Sequence, residues 1–246
     1  MAQYTEEHKL PSLGKINDIN PIITLRNMTT AEEKLLLGST SNALDQVLNS
    51  CIVEPAKLDV NSLISPDKHF ILIKLRVLSY GPDYYVKHKC PSCGKLSEYK
   101  IDLDKLDVHY LDEDFTEPFD EFTLPVSNKK VALRLPRMSD LNDADAKARK
   151  FHKKFPDAKG DMAYVYRLIA NIYSVDDDAE MTSIQLQNFV EELHTRDTAY
   201  IKNRMSKVKI GIDTTIFEEC PNSACGEDVQ FELPINSEFF HARFDD

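Results

Sequence analysis

This 246-residue chain has no tryptophan, only seven glycines and no low-complexity tract. No apolar run approaches the roughly 20 residues that a membrane-spanning helix needs, which excludes that class of membrane protein. Residues 1 to 15 are polar and include Pro11 and Gly14, so they lack the apolar centre of a secretory signal. Basic charge is in deficit as well. Thirty Lys and Arg against 41 Asp and Glu leave a net charge of −11, which argues against broad nucleic-acid binding by the whole surface. A phosphate loop, a dinucleotide fingerprint, His-Glu-x-x-His and a nucleophile elbow are all missing. The seven histidines (8, 69, 88, 109, 152, 194 and 241) are scattered, and none stands beside a Ser or Cys in a nucleophile motif. Nothing asks for catalysis, and the expectation is that the protein is not an enzyme. What is present is 42% hydrophobic, long enough for one large domain or two small ones with ample core.

Cysteine is scarce but pointedly placed. Cys90-Pro91-Ser92-Cys93-Gly94 and Cys220-Pro221-Asn222-Ser223-Ala224-Cys225-Gly226 each put two thiols on a tight turn between strand-like stretches. Proline after the first Cys fixes φ, and glycine after the second permits φ > 0, so the backbone can fold both sulfurs toward one point. Cys90, Cys93, Cys220 and Cys225 then read as one four-thiolate zinc-ribbon site, closed to substrate. Four unrelated cysteines, or a disulfide within each pair, are the plainer alternatives. His88 could replace a thiolate or stand behind one. A deaminase centre would need His-x-Glu near Pro-Cys-x-x-Cys, and that is absent. Joining the two knuckles closes a loop over residues 94 to 219, at about 4–5 kcal/mol of chain entropy. A structural Zn2+ offsets this, since binding in small zinc peptides is of order 10–16 kcal/mol. Cys51 shares a helical face with Leu44, Val47 and Leu48 and reads as core. Metal-spaced thiols plus one free Cys favour a reducing compartment.

Along the chain, residues 1–20 read as an extended N-terminal arm and 21–89 as an N-terminal helical region. Residues 90–103 and 207–235 form the ribbon from both halves, 104–206 are an inserted hairpin and helical region, and 236–246 are a tail. Thr29/Glu32 and Thr30/Glu33 fit a capping box, with Gly38 as the stop. Ser41 or Asn42 caps a second helix, and Ser65-Pro66-Asp67 opens a buried one that ends at Gly81-Pro82. A hairpin is expected from Phe122–Val126 and Lys130–Leu135, followed by helices over Asp143–Phe155, Asp161–Tyr173, one after Thr182 or Ser183, and Asp197–Ser206. Val208 to Ile216 alternate as one strand. The fold class is therefore α+β, mainly helical, with a short antiparallel zinc-ribbon sheet joining distant segments.

Three stretches stand out besides the cysteines. Leu133-Arg134-Leu135-Pro136-Arg137-Met138-Ser139 echoes Leu25-Arg26-Asn27-Met28-Thr29-Thr30: a strand ending in Arg, then Met, a hydroxyl cap and a helix. Lys147, Arg149, Lys150, Lys153 and Lys154, with His152, make the one basic cluster, which reads as a solvated helix face or a site for an acidic surface or nucleic acid. Residues 102–121 mix acids with aromatics, as a connector whose rings pack and whose carboxylates face water. Asp176-Asp177-Asp178 lacks the Gly and terminal Glu of a calcium loop.

The strings Ile23-Thr24-Leu25-Arg26-Asn27-Met28-Thr29-Thr30-Ala31-Glu32-Glu33, Leu78-Ser79-Tyr80-Gly81-Pro82 leading to Cys90-Pro91-Ser92-Cys93, and Phe122-Thr123-Leu124-Pro125 resemble the T4-type bacteriophage baseplate hub and hub-assembly proteins. The resemblance implies a late phage protein made in the host bacterial cytoplasm. Such a protein helps build the tail baseplate hub, either staying in the virion or acting transiently. Its implied partners are other tail and hub proteins, the tape-measure chain among them. The competing reading is a zinc-ribbon nucleic-acid-binding regulator that uses residues 147 to 154.

Overall fold

The computed structural model describes residues 4–38, 42–235 and 237–240. Ser41, one of the two expected caps, and most of the expected tail lie outside these. The chain alternates short strands with short helices. β1 (Thr5–Lys9), β2 (Ile22–Arg26) and β3 (Ile52–Glu54) form an antiparallel sheet in the order β1-β2-β3. Between β2 and β3 lie α1 (Thr30–Leu36) and α2 (Ala43–Cys51), and α3 (Ser65–Tyr80) follows. Next come a hairpin of β4 (Asp83–Lys89) and β5 (Leu96–Asp102) and the two-residue strand β6 (Val108–His109). A second three-stranded sheet is built from β7 (Phe119–Thr123), β8 (Lys130–Leu133) and β9 (Ile172–Val175), with α4 (Met138–Lys154) and α5 (Met162–Ala170) between β8 and β9. α6 (Ser183–Glu192), α7 (Thr195–Met205), β10 (Gly211–Ile212), and a hairpin of β11 (Thr215–Glu219) and β12 (Asp228–Glu232) complete it.

The expectation of a mainly helical chain is overturned: helix is 36% and strand 25%, in several small antiparallel sheets, although α+β holds. The missed strands are short and hidden by their neighbours. β1 is Thr-Glu-Glu-His-Lys with one buried residue, so part of the extended N-terminal arm is a strand paired with β2 at the sheet edge. β3 follows the last residue of α2, and β9 occupies the end of the helix expected to run to Tyr173. The single strand expected over 208–216 is two, broken at Asp213–Thr214, where Asp213 Oδ1 accepts from the Thr215 N–H. The ribbon is not one sheet either: β4-β5 and β11-β12 are separate hairpins. A two-stranded ladder between distant segments is formed instead by β6 with β10.

The echo around Arg26 and Arg134 extends to whole units. Residue n of β2 and the start of α1 matches n + 108 in β8 and α4. Ile23 and Leu25 match Val131 and Leu133, all of them buried, and N-cap Thr29 matches N-cap Arg137. In both units the acid at N3 accepts the cap's backbone N–H (Glu32 from Thr29, Asp140 from Arg137) and pairs with the Arg ending the strand. The third strands agree as well. Leu25 faces Ile52 and Thr24 faces Glu54, while Leu133 faces Ile172 and Ala132 faces Ser174. Val53 and Tyr173 are thus the extra residue of the same bulge at the same place, a feature that bends a strand at one defined residue.

Two cores result. Ile23, Leu25, Val47, Leu48 and Cys51 pack with Phe70 to Leu75 of α3 and with Val229, Phe231 and Phe239 from the far end of the chain. Leu124, Val131, Leu133, Leu168, Ile172, Val190 and Ile201 form the other. Ile16, Ile64, Leu111 and Leu135 make a smaller cluster of their own. Beside it, Met138 and Ser139 at the start of α4 donate their N–H groups to Leu63 and Asn61. The rings of Phe115 and Phe119 pack tilted at 5.5 Å, and Glu117 and Asp120 pair with Arg137 and Arg204. The acidic connector is therefore partly pinned by its carboxylates rather than wholly solvated by them.

Candidate metal centre

The four cysteines meet through two facing hairpins. β4 and β5 pair from Asp83↔Asp102 to Lys89↔Leu96, and β11 and β12 from Thr215↔Glu232 to Glu219↔Asp228. Each delivers its chain into a knuckle. Cys90 donates its N–H to Lys95 and its carbonyl accepts from Gly94, while Cys220 donates to Glu227 and Asn222 accepts from Cys225 and Gly226. Gly94 and Gly226 lie at φ +72° and +62°, which a side chain would strain. The hairpins are held face to face by rings: His88 stacks on Phe231 at 4.7 Å and Tyr99 leans on it at 5.3 Å. His88, considered as a ligand, is thus occupied as a packing surface and lies outside the group of donors.

The Cys90–Cys225 sulfurs are 3.9 Å apart, the Cys93–Cys220 sulfurs 3.8 Å, and all four lie within 4.8 Å of one another. A disulfide would bring two sulfurs to about 2.05 Å. The edge of a zinc–thiolate tetrahedron with bonds of about 2.3 Å is about 3.8 Å. All four cysteines are free and two sulfur contacts run between the knuckles at a tetrahedron's edge length, so the alternative of a disulfide in each knuckle does not describe this geometry. Cys90 and Cys220 are buried in the first core, Cys225 is half-buried and Cys93 exposed.

Packed thiols compete for protons. The Lys95 backbone N–H and the Asn222 side chain hold Cys93 down at about 6. The Glu227 N–H pulls the other way on Cys225, but burial and three neighbouring thiols outweigh it and push that thiol up to about 11. Cys220 also lies above its usual range, against the pull of the Asn222 N–H, through burial and its sulfur neighbours. Cys93 ionises readily, whereas Cys220 and Cys225 resist. A cation placed among them resolves that conflict, and its binding must release protons. The donor set fits a soft tetrahedral ion with no position left over for substrate.

Other expected residues fall plainly. Cys51 is fully buried in the first core, where burial raises its thiol pKa. The basic residues of α4 lie on its exposed side. Asp176 and Asp177 pair with Lys129 and Lys130, as turn residues do. Sequence reasoning missed Arg76. It is buried in α3 and donates from Nε to the carbonyl of Phe239, and from its terminal nitrogens to the carbonyls of Gly81 and Asp83. Its guanidinium lies over the rings of Tyr80 and Tyr84. One side chain ties α3, the entry to the first metal hairpin and the C-terminal turn together. The only signal was that Arg76, with Lys74, interrupts the apolar run Phe70 to Tyr80.

The family model for T4 bacteriophage base plate protein matches residues 1–241, and the chain belongs to that family. No curated protein and no solved structure matches it. No helix among the described residues is long and apolar enough to cross a membrane.

Proposed function

We propose that this base plate protein is a structural or assembly component of the tail baseplate hub. It is not an enzyme, and it docks other tail proteins, the tape-measure chain among them, through protein contacts. It does this in the host cytoplasm during assembly. One Zn2+ held by Cys90, Cys93, Cys220 and Cys225 clasps the two ends of the chain. The observation that carries the reading is the pair of cross-knuckle sulfur separations, 3.8 and 3.9 Å, which match a tetrahedron's edge. The ion would supply rigidity: it fixes two hairpins that share no backbone hydrogen bond. The chain itself supplies the N–H groups of Lys95, Asn222 and Glu227 that stabilise thiolates.

Elemental analysis of protein purified from metal-supplemented cells tests this directly. One equivalent of zinc is expected, lost in Cys93→Ser and Cys220→Ser. A full equivalent in either variant would sink the four-thiolate site. Co-purification with tail proteins that persists when Lys150, Lys153 and Lys154 are neutralised supports the hub role. Steeply salt-dependent duplex-DNA binding abolished by those changes would replace it with the regulator reading.

A further inference from the structure

The two ββααβ units differ in length at one place. The offset of 108 residues at β2 and β8 becomes 120 at the third strands, Ile52 against Ile172, so twelve more residues lie in the second unit's helix pair. α4 has 17 residues where α1 has seven. The first unit closes its core without that length, so the last turns of α4 form an arm that closing a core does not require. Residues 147–160 hold six cations, Lys147, Arg149, Lys150, Lys153, Lys154 and Lys159, against one acid, Asp157. Among the described residues none of the six has an ion-pair partner. At the tip Phe151 and Phe155 pack at 5.1 Å and line a groove with Pro156, Asp157 and Ala158. Phe155 is 46% exposed, and Lys154 sits over its ring.

The second metal hairpin carries the opposite charge. Residues 215–232 hold five acids, Glu218, Glu219, Glu227, Asp228 and Glu232, and no Lys or Arg. All five are exposed, and none enters an ion pair among the described residues. The cations of the facing hairpin do not neutralise them: Lys100 pairs with Asp83, and Lys87, Lys89 and Lys95 form no ion pair with these acids. The register decides what the ribbon shows to water. Thr215↔Glu232, Phe217↔Gln230 and Glu219↔Asp228 share one side, because alternate residues of a strand point the same way. Ile216, Val229 and Phe231 take the other side and enter the first core. The open side therefore sets three carboxylates around Phe217, which is 70% exposed.

We propose that the α4 arm of one copy docks on the open side of the β11-β12 hairpin of a second copy. A local charge of +5 (six cations less Asp157) meets one of −5. Phe217 meets the Phe151–Phe155 tip, where rings gain from packing on one another. Within one chain no ion pair joins the two patches among the described residues. They are different surfaces, so the contact is head-to-tail and repeats into a ring or a filament. An interface this small belongs to the weak class below about 1,200 Å², and its charges make it salt-sensitive.

Sedimentation velocity on the full, metal-loaded chain at about 100 µM, suited to that weak class, tests it in low and high salt. The wild type is expected to associate in low salt and to dissociate in high salt. Lys150→Glu/Lys153→Glu and Asp228→Lys/Glu232→Lys are each expected to stay monomeric with unchanged metal content and melting. Phe217→Ser, which alters no charge, should weaken association about tenfold. In a mixture of the two charge variants the intact arm of one meets the intact hairpin of the other, so association returns. A monomeric wild type, a charge or Phe217 variant that associates like wild type, or a mixture that stays monomeric would each overturn the proposal. So would association that requires an added DNA duplex, which would make the arm a polyanion site. If the hairpin charge variant lost its metal, Phe217→Ser and the arm variant would decide. Metal content is read in the same samples, so failure here is separable from failure of the zinc reading.

Discussion

The first and second ββααβ units share a strand-end arginine, an N3 acid and a bulge, yet they are embedded differently. In the first, Arg26 and Glu32 meet at 2.7 Å with side chains 14% and 8% exposed. Ser79 and Tyr80, at the end of α3, accept the Met28 N–H and donate to Glu33 close by. In the second, Arg134 and Asp140 meet at 3.3 Å with 30% and 27% exposed, and they line an open groove with Lys147, Tyr166 and Ile184. At the residue matching Met28 stands Pro136, which has no N–H to satisfy. The first unit has become part of a core shared with α3 and both metal hairpins, while the second keeps its own core and gains an arm. One local design is thus used once as a foundation and once as a platform.

The comparison breaks most visibly at the metal. Cys90 and Cys220 belong to the first core and none of the four thiols to the second. Cys220→Ser should therefore cost the first half several kcal/mol, on the scale of 10–16 kcal/mol for structural zinc. Native-state hydrogen exchange would show β2 and α3 losing protection while β8 and β9 keep theirs. Equal loss in both halves would mean the two cores unfold as one.

A second break lies in the paired acids. Arg26 holds Glu32 down at about 2, and Thr29 adds to this. That stabilisation is present above the ordinary carboxylate range and is lost only as pH falls toward 2. Removing Glu32 leaves a buried guanidinium uncompensated, so Glu32→Ala should cost about 2–4 kcal/mol in chemical denaturation. Asp140→Ala removes a cap and a half-exposed pair, about 0.5–1.5 kcal/mol. Similar costs would show that the two nodes are equally embedded after all.

Parts of this were legible before any coordinates. The knuckles were, because Pro and Gly at matched positions encode backbone angles locally. The Asp161 cap was as well, and two others to within a residue, since capping is settled within three residues. Of Thr29 or Thr30 it is Thr29 that accepts, and of Thr182 or Ser183 it is Thr182. The repeat was visible only as an Arg-to-cap echo, because the bulge and register that establish it are pairings over long separations. β1 and β9 were hidden for the same reason: nothing in Thr-Glu-Glu-His-Lys says strand until Ile22–Arg26 lies alongside it. Arg76 was illegible as a tie, since its three carbonyl partners lie on either side of a long excursion in sequence.

The smallest contrast concerns two fully buried carboxylates, Asp67 beside the first core and Asp197 beside the second. Asp67 accepts one N–H, from Ser12, at Oδ1, and its Oδ2 has no hydrogen-bond partner. Burial therefore dominates and pushes it up to about 6, despite its place in the first turn of α3. Asp197 is buried as deeply, but each oxygen accepts an N–H, from Val126 and Ser127, and these overcome burial and hold it below the usual range. The signs are opposite. A raised carboxyl favours the protonated fold, so the contribution of Asp67 to the first half should fall as pH rises from about 4 through about 6 and be flat above that. A lowered one contributes stability above about 4 that is lost only in stronger acid, so between pH 5 and 7 the second half should not respond. Asp67 alone should therefore add about 1–2 kcal/mol to the exchange protection of α3 on going from pH 7 to 5, read as the wild-type change minus that of Asp67→Asn. His8 and His69, held below their usual range by burial, oppose it equally in both proteins, and α7 should be unchanged. Asp67→Asn should remove that contribution, leaving only the opposite slope of the buried histidines, without touching the second half. A wild-type slope that the substitution leaves unchanged would have to come from another group, and the one-donor, two-donor distinction between the halves would lose its consequence.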